Sequence, residues 1–92
     1  MHRIRAIAFG KVQGVGFRAF CCKVGKSCSL CGFARNLPDG SVEIVVEGEK
    51  EDADEFFQRI FTKTGKIQVE KIEIKSSRKV EKRKFASFSI CY

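Results

Sequence analysis

The stretch IRAIAFGKVQGVGFRAFCCKVGKSC, residues 4–28, contains a change of hydrophobic period that predicts how the fold begins. In residues 4–9 the apolar side chains alternate between two faces, which indicates a β-strand. From about residue 17 to residue 28 they recur at helical spacing and form one apolar stripe, which indicates an amphipathic helix. Three glycines lie between the two patterns: Gly10, Gly14 and Gly16. The stretch therefore predicts a strand, a glycine-rich loop and a helix, in that order.

A β-hairpin is predicted after this helix. Pro-Asp-Gly at residues 38–40 is a strong turn signal, because proline presets φ and glycine accepts a positive φ. The turn separates two predicted strands, residues 32–36 and 42–47. In the second strand, Glu43 and Glu47 share the face opposite to the apolar side chains. We therefore expect both carboxylates to lie on an outer face that is exposed to solvent.

The C-terminal half predicts a second helix and two further strands. Asp52 is the predicted N-cap of the helix, and Gly65 is its predicted end. Its inward-facing side chains are predicted to be Ala53, Phe56, Phe57, Ile60 and Phe61. A fourth strand is predicted at residues 67–75, and a basic loop then leads to a short last strand within residues 85–92.

The order βαββαβ, with an extra C-terminal strand, predicts an α+β fold. Two helices against one face of a mostly antiparallel sheet form a ferredoxin-like α/β sandwich. A chain of 92 residues has room for one core, so we expect a single domain over residues 1–92.

Positive charge is concentrated near the C-terminus. The formal net charge is +7, and the segment from Lys75 to Lys84 has six basic residues against one acid, Glu81. This balance favours anionic partners without choosing among nucleic acid, anionic lipid and phosphorylated metabolites, and it also fits a solvated loop. No signal-peptide pattern or membrane-span pattern is present, so we expect a cytoplasmic protein with no membrane partner.

The composition argues against several kinds of catalytic site. The only histidine is His2 at the N-terminus, which argues against Ser-His-Asp and Cys-His catalysis and against a histidine-based metal site. The chain has five cysteines: Cys21, Cys22, Cys28, Cys31 and Cys91. Cys21 and Cys28 belong to the apolar stripe of the first helix, so core packing is favoured over a zinc site. A disulfide involving Cys31 or Cys91 remains open. We expect no metal and no cofactor.

The glycine-rich loop has the features of an anion-binding site. Its segment QGVGFRAF, residues 13–20, partly overlays an RNA-binding signature, but that signature belongs on the third strand. The loop also lacks the Gly-Lys-Ser/Thr ending of a nucleotide-binding loop. Glycines allow successive backbone N–H groups to converge on an anion, and a helix N-terminus adds positive potential. Arg18 adds a bidentate donor, so the loop predicts a phosphate cradle.

Hydrolysis at this cradle requires a nucleophile, and the residues leave water as the candidate. Asn36, at the end of the second predicted strand, has a carboxamide that can accept from a water and donate to a substrate. Taken alone, the position favours a turn-starting asparagine with a structural role.

The motif GKVQGVGFR, residues 10–18, followed by GFARNLPDGSVEI, residues 32–44, resembles the acylphosphatases. The resemblance continues to the end of the chain. It implies a ferredoxin-like sandwich that hydrolyses the carboxyl-phosphate bond of acyl phosphates, with no metal and no covalent intermediate. It implies a phosphate cradle of six residues: Gln13, Gly14, Val15, Gly16, Phe17 and Arg18. By the same resemblance, Arg18 binds phosphate and Asn36 orients the attacking water.

The expected function is therefore that of a small freestanding acylphosphatase acting on small acyl phosphates. Inorganic phosphate would be both product and inhibitor, and we expect a monomer that binds no nucleic acid. The alternative is a non-catalytic anion- or RNA-binding module of the same fold. Gly25, Ser29 and the cysteines depart from the family pattern, which puts local stability and redox state in question more than activity.

Overall fold

Strand β1 lies near the middle of a six-stranded sheet in the computed structural model, which describes residues 1–91. The elements are β1 His2–Lys11, α1 Phe17–Ser27, β2 Cys31–Asn36, β3 Val42–Gly48, α2 Lys50–Ile60, β4 Lys63–Thr64, β5 Ile67–Lys79 and β6 Phe88–Cys91. The sheet order is β4-β5-β1-β3-β2-β6. Strand β6 pairs with β2 in parallel, and the other neighbours are antiparallel. The predicted α+β, ferredoxin-like sandwich is confirmed. Tyr92, the end of the predicted last strand, lies outside the described residues.

The core lies between the two helices and one face of the sheet. Helix α1 contributes Phe17, Cys21 and Val24, and α2 contributes Ala53, Phe56 and Ile60, all of them buried. They pack against apolar side chains of the sheet, including Ile4, Ala8, Ile44 and Val46. The helical spacing in the sequence therefore identified the buried face of α1 correctly.

The packing of helix α1 explains the glycine at position 25. A Cβ atom at this position would lie 2.4 Å from a ring carbon of Phe88 on β6. The absence of a side chain on α1 therefore lets the Phe88 ring lie directly against the helix backbone. Because overpacking a buried contact costs more than the helix propensity that alanine would add, glycine suits this position.

Strand β5 is longer than the sequence predicted. It extends to Lys79, because its second half pairs with the start of β1, with Arg78 opposite Arg3 and Lys79 opposite His2. The prediction of a loop directly after residue 75 is therefore wrong for residues 76–79. The sequence did not predict this half of the strand because residues 75–79 are all polar and exposed. Backbone pairing with β1, rather than burial of side chains, holds them in the sheet.

The bounds of α2 also differ from the prediction. The helix begins at Lys50 with Glu49 at the N-cap position, so Asp52 lies in its first turn. It ends at Ile60, and Phe61 is 53% exposed rather than inward-facing. Gly65 has φ +56° and lies in the turn between the short strand β4 and β5, not at the helix end. Glycine with a positive φ is common both at a helix end and in a turn between strands, so the local sequence could not distinguish the two positions.

The outer face of the sheet is covered where Glu43 and Glu47 lie, which corrects the prediction of an exposed face. Their relative exposures are 5% and 0%. The segment of residues 80–87 crosses this face, and Glu47 accepts hydrogen bonds from the Lys84 N–H at 2.9 Å and the Phe85 N–H at 3.0 Å. The Arg3 side chain donates to it at 2.6 Å. Glu47 therefore fixes a loop that is distant in sequence.

Candidate active site

The loop between β1 and α1 encloses a cavity of about 140 Å³. Its lining residues are Val12, Gly14, Gly16, Phe17, Arg18, Ala19 and Ile90. Four of the six residues predicted to form the cradle thus line one cavity. Ile90 comes from β6, and no local pattern indicated it, because the parallel pairing of β6 with β2 is a long-range contact.

The two glycines of the loop adopt conformations that other residues rarely adopt. Gly14 has φ +72° and Gly16 has φ +84°, both in the left-handed region. A Cβ atom at either position would meet no atom within 4 Å, so backbone conformation, not crowding, favours glycine there. Gly16 is the N-cap of α1 and has no side chain that could cap the helix. The first N–H groups of α1 are therefore available for an anion.

Arg18 lies in the first turn of α1, at the positive end of the helix dipole. Its side chain is half-buried, and one terminal nitrogen, Nη1, donates to the carbonyl oxygen of Cys91 at 2.9 Å. The end of β6 thus helps to fix the position of the guanidinium. A planar guanidinium holds its N–H donors in a fixed fork.

Gln13 connects the loop to the turn between β2 and β3. Its side-chain amide Nε2 donates to the carbonyl oxygen of Leu37 at 2.7 Å and to that of Ser41 at 2.8 Å. The predicted phosphate-binding role of Gln13 is therefore restricted to its backbone, since both of its side-chain donor hydrogens have partners. The sequence did not indicate this connection, because the residues joined are 24 and 28 positions apart.

The turn that receives Gln13 is itself internally hydrogen-bonded. The Leu37 N–H donates to the Ser41 carbonyl at 2.9 Å, and the Asp39 carboxylate accepts from the hydroxyl and the N–H of Ser41. These bonds from the Ser41 hydroxyl and then its N–H hold the pKa of Asp39 below its usual range. The turn is thus a defined structure with Asn36 directly before it.

Asn36 ends β2, where it pairs with Val42 of β3. Its side-chain oxygen Oδ1 is buried and has no hydrogen-bond donor among residues 1–91. A buried carbonyl oxygen without a donor costs about 1–3 kcal/mol, so such groups are rare outside functional sites. The sequence predicted this residue as a candidate, and the structure gives it an unsatisfied acceptor.

Phe17, Val15 and three of the cysteines, Cys21, Cys22 and Cys28, pack in or against the core. Phe17 is buried, and Val15 packs against the core cluster without lining the cavity. Cys21 and Cys28 belong to the core, and burial, followed by the neighbouring Cys22, raises the pKa of the Cys21 thiol. The five cysteines are free thiols. Within the described residues, no three histidine, cysteine or acidic side chains are placed to hold a metal ion.

The sequence as a whole matches the family model described as Acylphosphatase over residues 4–90. The chain belongs to the acylphosphatase family. The resemblance and the enzyme prediction are confirmed by curated relatives as well. The acylphosphatase of Thermus thermophilus is 43% identical over 74 residues, which cover 80% of this chain and 84% of the relative. The acylphosphatase of Caldivirga maquilingensis is 40% identical over 91 residues, which cover 98% of this chain and 94% of the relative.

A solved structure shows the same fold. The crystal structure of acylphosphatase from Bacillus subtilis superposes with a TM-score of 0.91 at 32% sequence identity, and the match covers all of both chains. An acylphosphatase has an acyl phosphate as its substrate and phosphate as a product. The comparisons thus favour the enzyme over a non-catalytic binding module. Within residues 1–91, neither helix has the length and apolar character that crossing a membrane requires.

Proposed function

We propose that this acylphosphatase hydrolyses small acyl phosphates by direct attack of a water that Asn36 holds, on a phosphoryl group that the glycine loop and Arg18 hold. The observation that carries this mechanism is the buried Oδ1 of Asn36, which has no donor among the described residues. Asn36 directly precedes the turn that Gln13 joins to the loop. Two hydrogen bonds of Gln13 therefore join the loop that holds the phosphoryl group to the turn next to Asn36.

The phosphoryl group is bound by charge and by backbone donors. In this mechanism the N–H groups from Gly14 to Arg18 converge on the phosphoryl group, which the positive φ of Gly14 and Gly16 allows, and the start of α1 adds about half a positive charge. The Arg18 guanidinium supplies paired N–H donors to two phosphoryl oxygens. Charge that develops on these oxygens in the transition state is stabilised by groups already in position.

The water is oriented by one hydrogen bond that it donates to Asn36 Oδ1, which leaves an oxygen lone pair for phosphorus. As the new P–O bond forms, the bond between phosphorus and the acyl oxygen breaks, and its electron pair leaves with the carboxylate. The proton of the water passes to a phosphoryl oxygen of the substrate. The products are a carboxylate and inorganic phosphate, and no protein base, metal or covalent intermediate takes part.

Several accompanying properties are part of the same proposal. Residues 1–92 act as one domain, the protein is a cytoplasmic monomer, and it uses neither nucleic acid nor a membrane as partner. Inorganic phosphate inhibits by occupying the cradle as product.

Asn36→Ala should lower kcat for benzoyl phosphate by about 10²-fold or more, because the water loses its orientation. Inhibition by inorganic phosphate should persist, since the cradle is unchanged. Steady-state assays with and without a chelator measure both effects and the predicted independence of metal. Asp39→Asn, in the same turn, keeps the oxygen that accepts from Ser41 and should remain close to wild type. Normal hydrolysis by Asn36→Ala would show that Asn36 does not position the water.

Gln13→Leu should reduce kcat by about tenfold with a smaller change in KM, because small displacements of a catalytic group are costly. The substitution removes both hydrogen bonds to the Leu37 and Ser41 carbonyls but keeps the backbone cradle and Arg18. Gln13→Met, which is uncharged, close in shape and also without the donor, should show the same split between kcat and KM. Two variants with wild-type kinetics would mean that this connection does not set the relative position of loop and turn.

A further inference from the structure

A second concave site lies on the outer face of the sheet, opposite to the helices. This outer-face cleft has a volume of about 340 Å³, within the range of small-molecule sites. Its walls include four basic and two aromatic side chains: Arg3, Arg5, Arg78, Lys84, Phe33 and Phe85. Among the described residues, it shares no lining residue with the cavity of the glycine loop. It is therefore a separate site.

Strand pairing places these side chains together. Arg3 of β1 is opposite Arg78 of β5, and Arg5 is opposite Ser76. On the other side of β1, Val45 of β3 lies between Arg5 and Phe33 in the register and forms the floor. The remaining wall is the segment of residues 80–87, held by the hydrogen bonds of Glu47 to the Lys84 and Phe85 N–H groups.

The cleft has more positive than negative charge. Arg3 pairs with Glu47 at 2.6 Å, and Arg5 pairs with Glu43 at 2.5 Å. Glu43 also pairs with Arg35, which lies beside the cleft. Each carboxylate is thus paired with at least one arginine of the sheet, and Glu47 also accepts from the Lys84 and Phe85 N–H groups. The exposed side chains of Arg78 and Lys84 have no carboxylate within 4.0 Å among residues 1–91, so two positive charges remain for an anion.

An apolar, aromatic surface adjoins these charges. The rings of Phe33 and Phe85 meet edge to face with centroids 5.6 Å apart, and Val45, the cross-strand neighbour of Phe33, also lines the cleft. Lys84 Nζ lies 5.8 Å from the centroid of the Phe85 ring. A ligand that uses the whole cleft needs a planar ring for the aromatic side and a multiply charged anion for the cationic side.

We propose that the outer-face cleft binds a nucleoside phosphate, with the base against Phe33 and Phe85 and the phosphates at Arg78 and Lys84. The crossing segment bounds the cleft on one side, which favours one nucleotide over a longer strand. This assignment is independent of the catalytic role proposed for the glycine loop.

Isothermal titration with ATP tests the proposal, in excess inorganic phosphate so that the catalytic cradle is occupied. Wild type and Arg18→Ala should bind ATP alike. Arg78→Glu and Lys84→Glu should each weaken binding by about tenfold or more, because each loses a charged contact. Lys66→Glu makes the same change of charge in the turn between β4 and β5 and should bind like wild type. Acylphosphatase activity should be unchanged in all three glutamate variants.

Adenosine and pyrophosphate, each compared with ATP, distinguish the contribution of the base from that of the phosphates. Adenosine carries the ring without the charge, and pyrophosphate carries the charge without the ring, so both should bind more weakly than ATP. Pyrophosphate binding as tight as that of ATP would overturn the aromatic contact. No detectable ATP binding, or an equal loss in Lys66→Glu, would overturn the site. Affinity that rises with the length of a single-stranded oligonucleotide would assign the cleft to nucleic acid instead.

Discussion

Arg18→Ala will lower kcat for acyl phosphate hydrolysis by about 10³-fold or more, the largest loss of activity expected from any single substitution here. The guanidinium is held at the start of α1, where one nitrogen already donates to the Cys91 carbonyl at 2.9 Å. In the proposed mechanism it therefore needs no rearrangement as charge develops on the phosphoryl oxygens. Alanine removes both the charge and the paired donors, and the backbone amides of the loop alone must then stabilise the transition state.

Arg18→Lys is the matched control, because it keeps the positive charge but not the planar fork. We expect it to recover only a small part of the lost rate. Inhibition by inorganic phosphate should weaken in both variants, unlike in Asn36→Ala. Since the contact with Cys91 also ends, circular dichroism and thermal unfolding should first show that both variants are folded. A kcat for Arg18→Ala within tenfold of wild type would rule out this arginine as the main electrostatic group.

Glu47→Gln will cause the largest loss of stability that the structure predicts for a single polar group, about 3 kcal/mol in the free energy of unfolding. The carboxylate is fully buried and accepts from the Arg3 side chain and from two backbone N–H groups, those of Lys84 and Phe85. Glutamine replaces one carboxylate oxygen by an NH₂ group, which is itself a donor. At least one of the three donors that bind Glu47 then has no acceptor. Chemical denaturation measures the difference.

Glu43→Gln is the control for this substitution, on the same strand and the same face. Its carboxylate pairs with the side chains of Arg5 and Arg35, which are 44% and 50% exposed. Since exposed partners can return to water, the loss should be smaller, roughly 1 kcal/mol. Equal losses in the two variants would show that the backbone N–H groups bound to Glu47 add nothing.

The stabilisation by Glu47 should also depend on pH. Burial opposes its ionisation, but hydrogen bonds from the Phe85 N–H, Arg3 and the Lys84 N–H outweigh burial and lower its pKa. A carboxyl with a lowered folded-state pKa contributes stability that is fully present above its unfolded pKa, about 4.3, and is lost as pH falls through the folded value. The difference in stability between wild type and Glu47→Gln should therefore shrink on acidification below about pH 4.

Local patterns in the sequence were sufficient for the elements that bear the site. The change from period 2 to period 3.6 at the glycine loop predicted β1, the loop and α1, and Pro38-Asp39-Gly40 predicted the turn after Asn36. These signals are local because backbone conformation at glycine and proline depends on the residue itself. Arg18 and Asn36 could be chosen as candidates for the same reason: their chemistry and their position at the end of an element are visible in the sequence.

The sequence by itself thus determined the order of elements, the family and the candidate groups of the active site. Tertiary structure alone decided three long-range contacts. Gln13 binds the turn beyond Asn36, Arg18 binds the end of β6, and Glu47 binds the loop at Lys84. The physical reason is that each of these contacts joins residues far apart in the chain. A buried carboxylate and an exposed one have the same local pattern of alternation, so only the segment that covers the sheet makes the outer face of β3 an interior.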